Sequence, residues 1–278
     1  MAQWQSYSMS APTTRRLVLV GLGNYTHPLT RHSVGQILLK NLAVRATRDP
    51  RFSSSGSSTL QLTKHDRKHA SWTTRITLTP LTGSGRLFEG KGDVELLFVL
   101  PKQLMNISGP TAYAAFKEFL PPKAREKTPP PPPPPAPPAP APTPSATASD
   151  GSAAPPPPPK KRSKPPPPPL KPMFRLLSLQ DDLDLPPYKL KYQRGGGPRG
   201  HNGIRSLSSP SALDSREFHR LWIGIGRPES RDQVADWVLG PLGREEVHSC
   251  EAGEEGGKGG EVLERAWEEV LRVAFAEE

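Results

Sequence analysis

The stretch from Gln180 to Ile204 concentrates side chains that could do chemistry: carboxylates, basic residues, glycines, a histidine and an asparagine. Its acids, Asp181, Asp182 and Asp184, follow an apolar run at residues 174–179 that predicts a buried strand. Because α/β proteins place catalytic groups at the ends of strands, this acidic end is a candidate site.

A basic, alternating segment at residues 188–193 predicts a short strand that leads into the glycine-rich loop 195–200. Glycines allow the backbone to approach another group closely. Asn202 follows this loop, before a predicted first helical turn at residues 204–207. Asn202 therefore either caps that helix or presents its amide to a ligand.

His32 is the candidate base in the first half of the chain. It precedes a predicted helix whose apolar stripe is formed by Val34, Ile37, Leu38 and Leu42. The positive end of a helix dipole lowers the pKa of a histidine, and a neutral imidazole accepts a proton. The alternative is a surface or capping histidine.

Several other chemistries are not indicated. The lone cysteine, Cys250, excludes an internal disulfide and a cysteine-based zinc cluster. The seven histidines show no HExxH or paired metal spacing, so no metal or cofactor is predicted. The Gly-x-Gly turn at residues 21–23 lacks the third glycine of a dinucleotide site, where Thr26 stands. There is no G-x-S-x-G motif, so an activated water is the remaining hydrolytic route.

Proline marks an interruption of the folded chain, because 25 of the 37 prolines fall between Pro121 and Pro172. We predict a disordered leader at 1–16, one α/β domain formed by 17–120 and 173–278, and a disordered proline-rich insertion at 121–172. The insertion is alternatively an SH3 or WW ligand, or a nuclear-import patch at its KKRSK segment, residues 160–164.

The net charge of +10 comes from an excess of basic residues in the first 175 positions, whereas residues 245–278 are acidic. This distribution fits a phosphate-rich partner.

No apolar run is long enough to span a membrane, which predicts a soluble intracellular protein. The leader lacks acids and ends in Arg15 and Arg16, so a mitochondrial presequence is an alternative to a disordered tail. Both a cytoplasmic and a mitochondrial location fit.

The remaining elements follow from periodicity. Predicted strands cover residues 17–20, 71–79, 94–100 and 218–225, and predicted helices cover 111–119 and 262–275. The apolar segment Val234–Leu239 is expected to pack on the core through Trp237. The polar, serine-rich residues 47–58 predict a loop insertion.

Four separated motifs carry a family resemblance: VGLGN with TRHSVG, LMNISG, DDLDLP, and GGGPRGHNGIRS. Together with FHRLWIGIG and VLGPL, they make the chain similar to the bacterial-type peptidyl-tRNA hydrolase family, as a eukaryotic member with a polyproline insertion. The resemblance implies a single α/β domain with a mixed twisted sheet flanked by helices. It also implies hydrolysis of the ester between a peptide and tRNA, without a cofactor and by a monomer.

The resemblance also implies roles for individual residues. His32 would be the general base that activates water, with His27 as a rival, and Asp181 would hold and polarise that water. The amides of three asparagines would bind the peptide backbone, the water and the oxyanion, and two further residues would contact the substrate. These five residues are Asn24, Asn106, Asn202, Tyr25 and Met105.

Two positions depart from the family pattern in the part expected to bind tRNA. Gln193 and Trp222 stand where the family often has basic residues that bind a tRNA phosphate. The resemblance implies that nearby cations substitute for them: Lys191, Arg194, Arg199 or Arg220. These departures keep open an alternative function, a non-catalytic RNA-binding relative. A further alternative makes the proline-rich insertion the functional element.

Overall fold

One mixed sheet of eight strands organises the computed structural model, which describes residues 15–119, 174–208, 218–254 and 259–276. The strands are β1 (Arg15–Gly21), β2 (Phe52–Gly56), β3 (Gln61–Lys64), β4 (Ala70–Pro80), β5 (Val94–Pro101), β6 (Phe174–Asp182), β7 (Leu190–Arg194) and β8 (His219–Gly224). Their order is β2-β4-β5-β1-β6-β8-β7, and β3 pairs with β4. The β1–β5, β1–β6 and β6–β8 pairs are parallel, and the other pairs are antiparallel.

Helices cover both faces of this sheet. They are α1 (Val34–Arg48), α2 (Ser108–Phe119), α3 (Asn202–Leu207), α4 (Val234–Leu239), α5 (Arg244–Ser249) and α6 (Glu261–Phe275). Leu17 and Leu19 of β1 pack in the core with α1 and α6, whereas Val18 and Val20 pack in a second core with α2 and α3. Because its two faces are both buried, β1 reads in sequence as a continuous apolar run. The predicted α/β class and mixed, helix-flanked sheet are thus confirmed.

Local predictions met different outcomes. The apolar runs became strands and the two long amphipathic patterns became α1 and α6, within a few residues of the predicted limits. The loop predicted at residues 47–58 is wrong, because β2 forms there as an edge strand against β4. Strand β3 and helix α5 were not predicted at all. Strand β1 begins at Arg15, inside the predicted leader.

The predicted insertion at 121–172 and most of the leader lie outside the described residues. The SH3 or WW ligand, the nuclear-import patch and the presequence therefore stay predictions. The described residues belong to one compact unit.

Two glycines allow close backbone contacts, one between a helix and a strand and one between two helices. A Cβ atom on Gly35 of α1 would overlap the carbonyl oxygen of Leu179 in β6. A Cβ atom on Gly109 of α2 would likewise overlap the carbonyl oxygen of Ser206 in α3. Only glycine permits these backbone approaches. The first contact sets the start of α1, and so His32, beside the end of β6.

Candidate active site

His32 and Asp181 meet although 149 positions separate them in the sequence. His32 lies in a short 3-10 turn, Arg31–Ser33, just before α1, and Asp181 lies in the last residues of β6. Nδ1 of His32 is 2.9 Å from both carboxylate oxygens of Asp181. The Asp181 side chain is almost completely buried, so this pair is largely shielded from solvent.

His201 is a third member of the cluster, and no role was predicted for it. Its Nδ1 accepts a hydrogen bond from the backbone N–H of Ile204 at 3.3 Å, which makes His201 the N-cap of α3. Its Nε2 therefore carries the proton and donates it to Oδ1 of Asp181 at 3.1 Å. The prediction that Asn202 caps this helix is therefore wrong, because Asn202 is its first residue. The only sequence signal for His201 was its position before a helical turn.

The charges of the cluster favour an ionised carboxylate between two imidazoles. Burial would raise the pKa of Asp181, but the neighbouring His201 and His32 hold that pKa well below its usual range. Burial lowers the pKa of His32, but the hydrogen bond and negative charge of Asp181 outweigh it and raise the pKa above its ordinary value. The lowering expected from the helix dipole is therefore wrong. Neutral His32 donates its Nδ1 proton to Asp181, which directs the basic Nε2 lone pair away from the carboxylate.

This geometry offers Asp181 a further role. Both of its oxygens accept from imidazole nitrogens, and its side chain is 3% exposed. Asp181 is therefore placed to orient His32, and its role of holding a water stays a prediction. His27, the rival base, is exposed and its Nδ1 contacts Thr26 rather than a carboxylate.

The predicted amide and substrate residues lie on the loops around the cluster. Oδ1 of Asn24 accepts from the backbone N–H of Met105 at 3.0 Å, which ties the loop after β1 to the loop after β5. Met105 is buried, so it contacts the core, whereas Asn106 beside it is exposed. Asn202 is exposed and its Oδ1 accepts from Arg205 at 3.3 Å. Tyr25 is partly exposed, 6.0 Å from the Lys102 ammonium.

A cavity of about 270 Å³ opens onto the cluster. His32, Asp181 and His201 line it together with Asn202, Trp222 and the α4 residues Val234 and Val238. Trp222 is buried, with 2% of its surface exposed. Its ring lies edge-on to the His201 ring, with 6.2 Å between the ring centroids. The cavity therefore combines an imidazole, the amide of Asn202 and an apolar wall.

The four cations predicted to bind phosphate separate into two groups. Lys191 and Arg194 of β7 and Arg199 of the glycine-rich loop are exposed. Arg220 is fully buried, and its guanidinium donates to the carbonyl oxygens of two loop glycines, Gly196 and Gly197. The phosphate-binding role of Arg220 is therefore wrong, since it supports the glycine-rich loop from within the protein.

The same cluster offers three potential metal-ligand atoms. One atom each from His32, Asp181 and His201 lie within 4.8 Å of one another. Here both imidazoles donate hydrogen bonds to the carboxylate, an arrangement that suits proton transfer.

Among the residues described, no helix is long and apolar enough to cross a membrane.

The fold and cluster define an α/β protein whose buried carboxylate orients an imidazole base at a cavity. The family model for peptidyl-tRNA hydrolase matches residues 170–264 of this chain. A peptidyl-tRNA hydrolase from Dichelobacter nodosus is 51% identical over 65 residues, which cover 23% of this chain and 33% of that protein. One from Aliivibrio fischeri is 46% identical over 77 residues, covering 28% of this chain and 39% of that protein. The resemblance to the peptidyl-tRNA hydrolase family is thus confirmed.

The chain spans between a third and two fifths of the length of these curated relatives. A solved structure extends the likeness in fold beyond the matched residues. It is a crystal structure of a peptidyl-tRNA hydrolase in complex with N-propanol, which aligns with 95% of this chain and 91% of its own. The TM-score is 0.50 and the identity 24%, so this comparison supports the fold.

Proposed function

We propose that this protein hydrolyses the ester bond between the peptide and the terminal ribose of peptidyl-tRNA, and so recycles stalled or dropped-off molecules. The observation that carries the proposal is the His32 imidazole, held by a buried carboxylate with its basic nitrogen directed away from that carboxylate. The family match at residues 170–264 supports the substrate class.

The chemical step begins with proton transfer from a water to Nε2 of His32. As that proton leaves, the water oxygen attacks the ester carbonyl carbon, and the carbonyl electrons move onto oxygen to form a tetrahedral oxyanion. When the carbonyl re-forms, the bond to the ribose oxygen breaks. That oxygen takes the proton back from His32, which yields a free tRNA hydroxyl and a peptide carboxylic acid.

Asp181 and His201 support this proton transfer. Protonated His32 carries a positive charge, and the ionised, buried carboxylate of Asp181 stabilises it at short range. His201 fixes the other side of the carboxylate, because its own ring is held by the start of α3. The base is thus preorganised before a substrate binds.

Two asparagine side chains present amide donors. The oxygen of Asn24 accepts from Met105, and the oxygen of Asn202 accepts from Arg205, so the NH₂ group of each amide is directed elsewhere. We assign these NH₂ groups, with the exposed amide of Asn106, to the peptide carbonyls and the oxyanion. Met105 positions Asn24 from the core, and Tyr25 borders the substrate.

Lys191, Arg194 and Arg199 are the cations we assign to tRNA phosphates. All three are exposed, on β7 and on the glycine-rich loop that ends at His201. Arg199 pairs with Asp184 at 3.5 Å and lies 5.9 Å from the Trp222 ring. Such exposed cations give binding that weakens as salt concentration rises.

The pH dependence should report His32. The base must be neutral to accept a proton, and Asp181 raises its pKa above the ordinary value of a histidine. We therefore expect kcat/KM to be low in acid, to rise with pH through an apparent pKa above that ordinary value, and to reach a plateau at higher pH. Rates on N-acetyl-aminoacyl-tRNA between pH 5 and 9 measure this profile. An activity that fell as pH rose across this range would contradict a neutral imidazole base.

The function itself is tested by incubating the full-length protein with tRNA carrying a radiolabelled N-acetyl-amino acid. We expect acid-soluble label to be released catalytically, with intact tRNA as the second product. Tight tRNA binding without release would instead favour the non-catalytic RNA-binding alternative.

A further inference from the structure

A second groove lies beside the candidate active site, on the other side of the loop that follows β1. It has a volume of about 570 Å³ and is bordered by α1, β4 and the end of β5. The residues that matter for its chemistry are Tyr25, Gln36, Lys40, Leu60, Trp72 and Leu100. We call it the Tyr25–Trp72 groove.

Two aromatic rings are left exposed in this groove. Tyr25 is 39% exposed and Trp72 is 37% exposed, although both are large enough to bury considerable apolar area. Aromatic faces that remain accessible beside cations are typical of surfaces on which unpaired nucleobases stack. Leu60 and Leu100 provide an apolar floor for a flat ring.

Gln36 adds a buried donor that lacks an acceptor. Its side chain is 2% exposed, and its Nε2 has no hydrogen-bond partner within the described part of the chain. Buried amide groups are normally hydrogen-bonded, so such a donor at a groove indicates a ligand that supplies the acceptor. Nucleobases carry ring nitrogens and carbonyl oxygens that accept hydrogen bonds at their edges.

The charge around the groove favours a phosphate-bearing ligand. Lys40 lines it, and Lys102 lies 6.0 Å from the Tyr25 ring. Among the described residues that line the groove, none is acidic. A flexible anionic strand is therefore attracted, while the aromatic rings select its bases.

The groove is formed in part by the loop that carries Asn24 and by the helix that follows His32. Tyr25 directly follows Asn24, and a Cβ atom on Gly23 would lie 2.8 Å from Cγ of Gln36. Gln36 is in the first turn of α1, four residues after His32. A substrate bound with its ester at His32 therefore has the groove next to it.

We propose that the Tyr25–Trp72 groove binds an unpaired nucleobase at the acceptor end of tRNA. The inference rests on the proposed function, which supplies the tRNA. The peptide is the less suitable occupant, because its side chains vary between substrates whereas the acceptor end offers the same bases and phosphates each time. Stacking on the exposed aromatic rings and a hydrogen bond from Gln36 would hold the base.

The test uses the full-length protein and a short RNA ending in CCA whose last adenine is replaced by fluorescent 2-aminopurine. Stacking quenches this fluorophore, so a titration reports binding without any ester. We expect Trp72→Ala to weaken binding by about 5- to 150-fold, the effect of losing one stacked base, and Trp72→Phe to bind within about threefold of the wild type. Tyr25→Ala, on an exposed loop, should also weaken binding, whereas Tyr113→Ala, a partly buried aromatic on α2, should not.

Equal binding by the wild type, Trp72→Ala and Tyr25→Ala would overturn the proposal. So would Trp72-dependent binding of a short N-acetylated peptide in place of the RNA. Hydrolysis measured on the same preparations separates the two proposals. If the protein hydrolyses the ester but Trp72→Ala binds the RNA as the wild type does, only the proposal for the groove is wrong. If RNA binding depends on Trp72 but the protein does not hydrolyse the ester, only the proposed hydrolase function is wrong.

Discussion

Replacing His32 with alanine is expected to lower kcat/KM for N-acetyl-aminoacyl-tRNA by about 10²- to 10⁴-fold, the usual contribution of a general base. In the proposed mechanism the His32 imidazole takes the proton from water. His201 cannot replace it, since both ring nitrogens of His201 are occupied by Asp181 and Ile204. Steady-state rates of label release measure the effect. Circular dichroism and thermal unfolding establish that the variant is folded.

His27→Ala is the matched control for this variant. His27 lies five residues before His32 on the same loop, but it is exposed and its Nδ1 contacts the Thr26 hydroxyl. We expect it to retain the wild-type rate within about threefold, as surface substitutions usually do. If His27→Ala lost activity and His32→Ala kept it, the assignment of the base would be reversed.

Asp181→Asn is expected to produce the second large loss, again about 10²- to 10⁴-fold in kcat/KM. An amide at position 181 can donate to Nδ1 of His32, which moves the imidazole proton to Nε2 and removes the basic lone pair from the cavity. The variant also lacks the charge that raises the pKa of His32, so the residual activity should begin to rise at lower pH.

Asp182→Asn is the control for this second variant. The Asp182 carboxylate accepts from the backbone N–H of Asp184 at 2.8 Å, a bond that asparagine can also make. It contacts neither imidazole, so we expect less than about a threefold change. Wild-type activity and an unchanged pH profile in Asp181→Asn would contradict an imidazole oriented by this carboxylate.

The fold was largely predictable because its central strands are buried on both faces. Such strands need apolar residues at successive positions, which made β1, β5, β6 and β8 visible in the sequence. Strand β2 was not visible, because an edge strand with exposed serines has the composition of a loop. Its pairing with β4 depends on a partner distant in sequence.

The site was predictable in part. The carboxylates that follow a buried strand identified Asp181, and the motif resemblance added His32 and Asn24. His201 was missed because its role depends on two contacts, one with α3 and one with β6, that no local pattern encodes. Arg220 was wrongly assigned to phosphate binding because of its charge. Its position inside the apolar run of β8 indicated instead that its side chain would be buried.

In the proposed reaction, water activated by His32 cleaves the ester at its acyl carbon. The most direct test is a single turnover of N-acetyl-aminoacyl-tRNA by the full-length protein in ¹⁸O-labelled water, with mass spectrometry of both products. We expect release far faster than in a protein-free control, one ¹⁸O atom in the carboxylate of the released acid, and an unlabelled tRNA ribose. Release no faster than in that control, with tRNA still bound, would contradict the account.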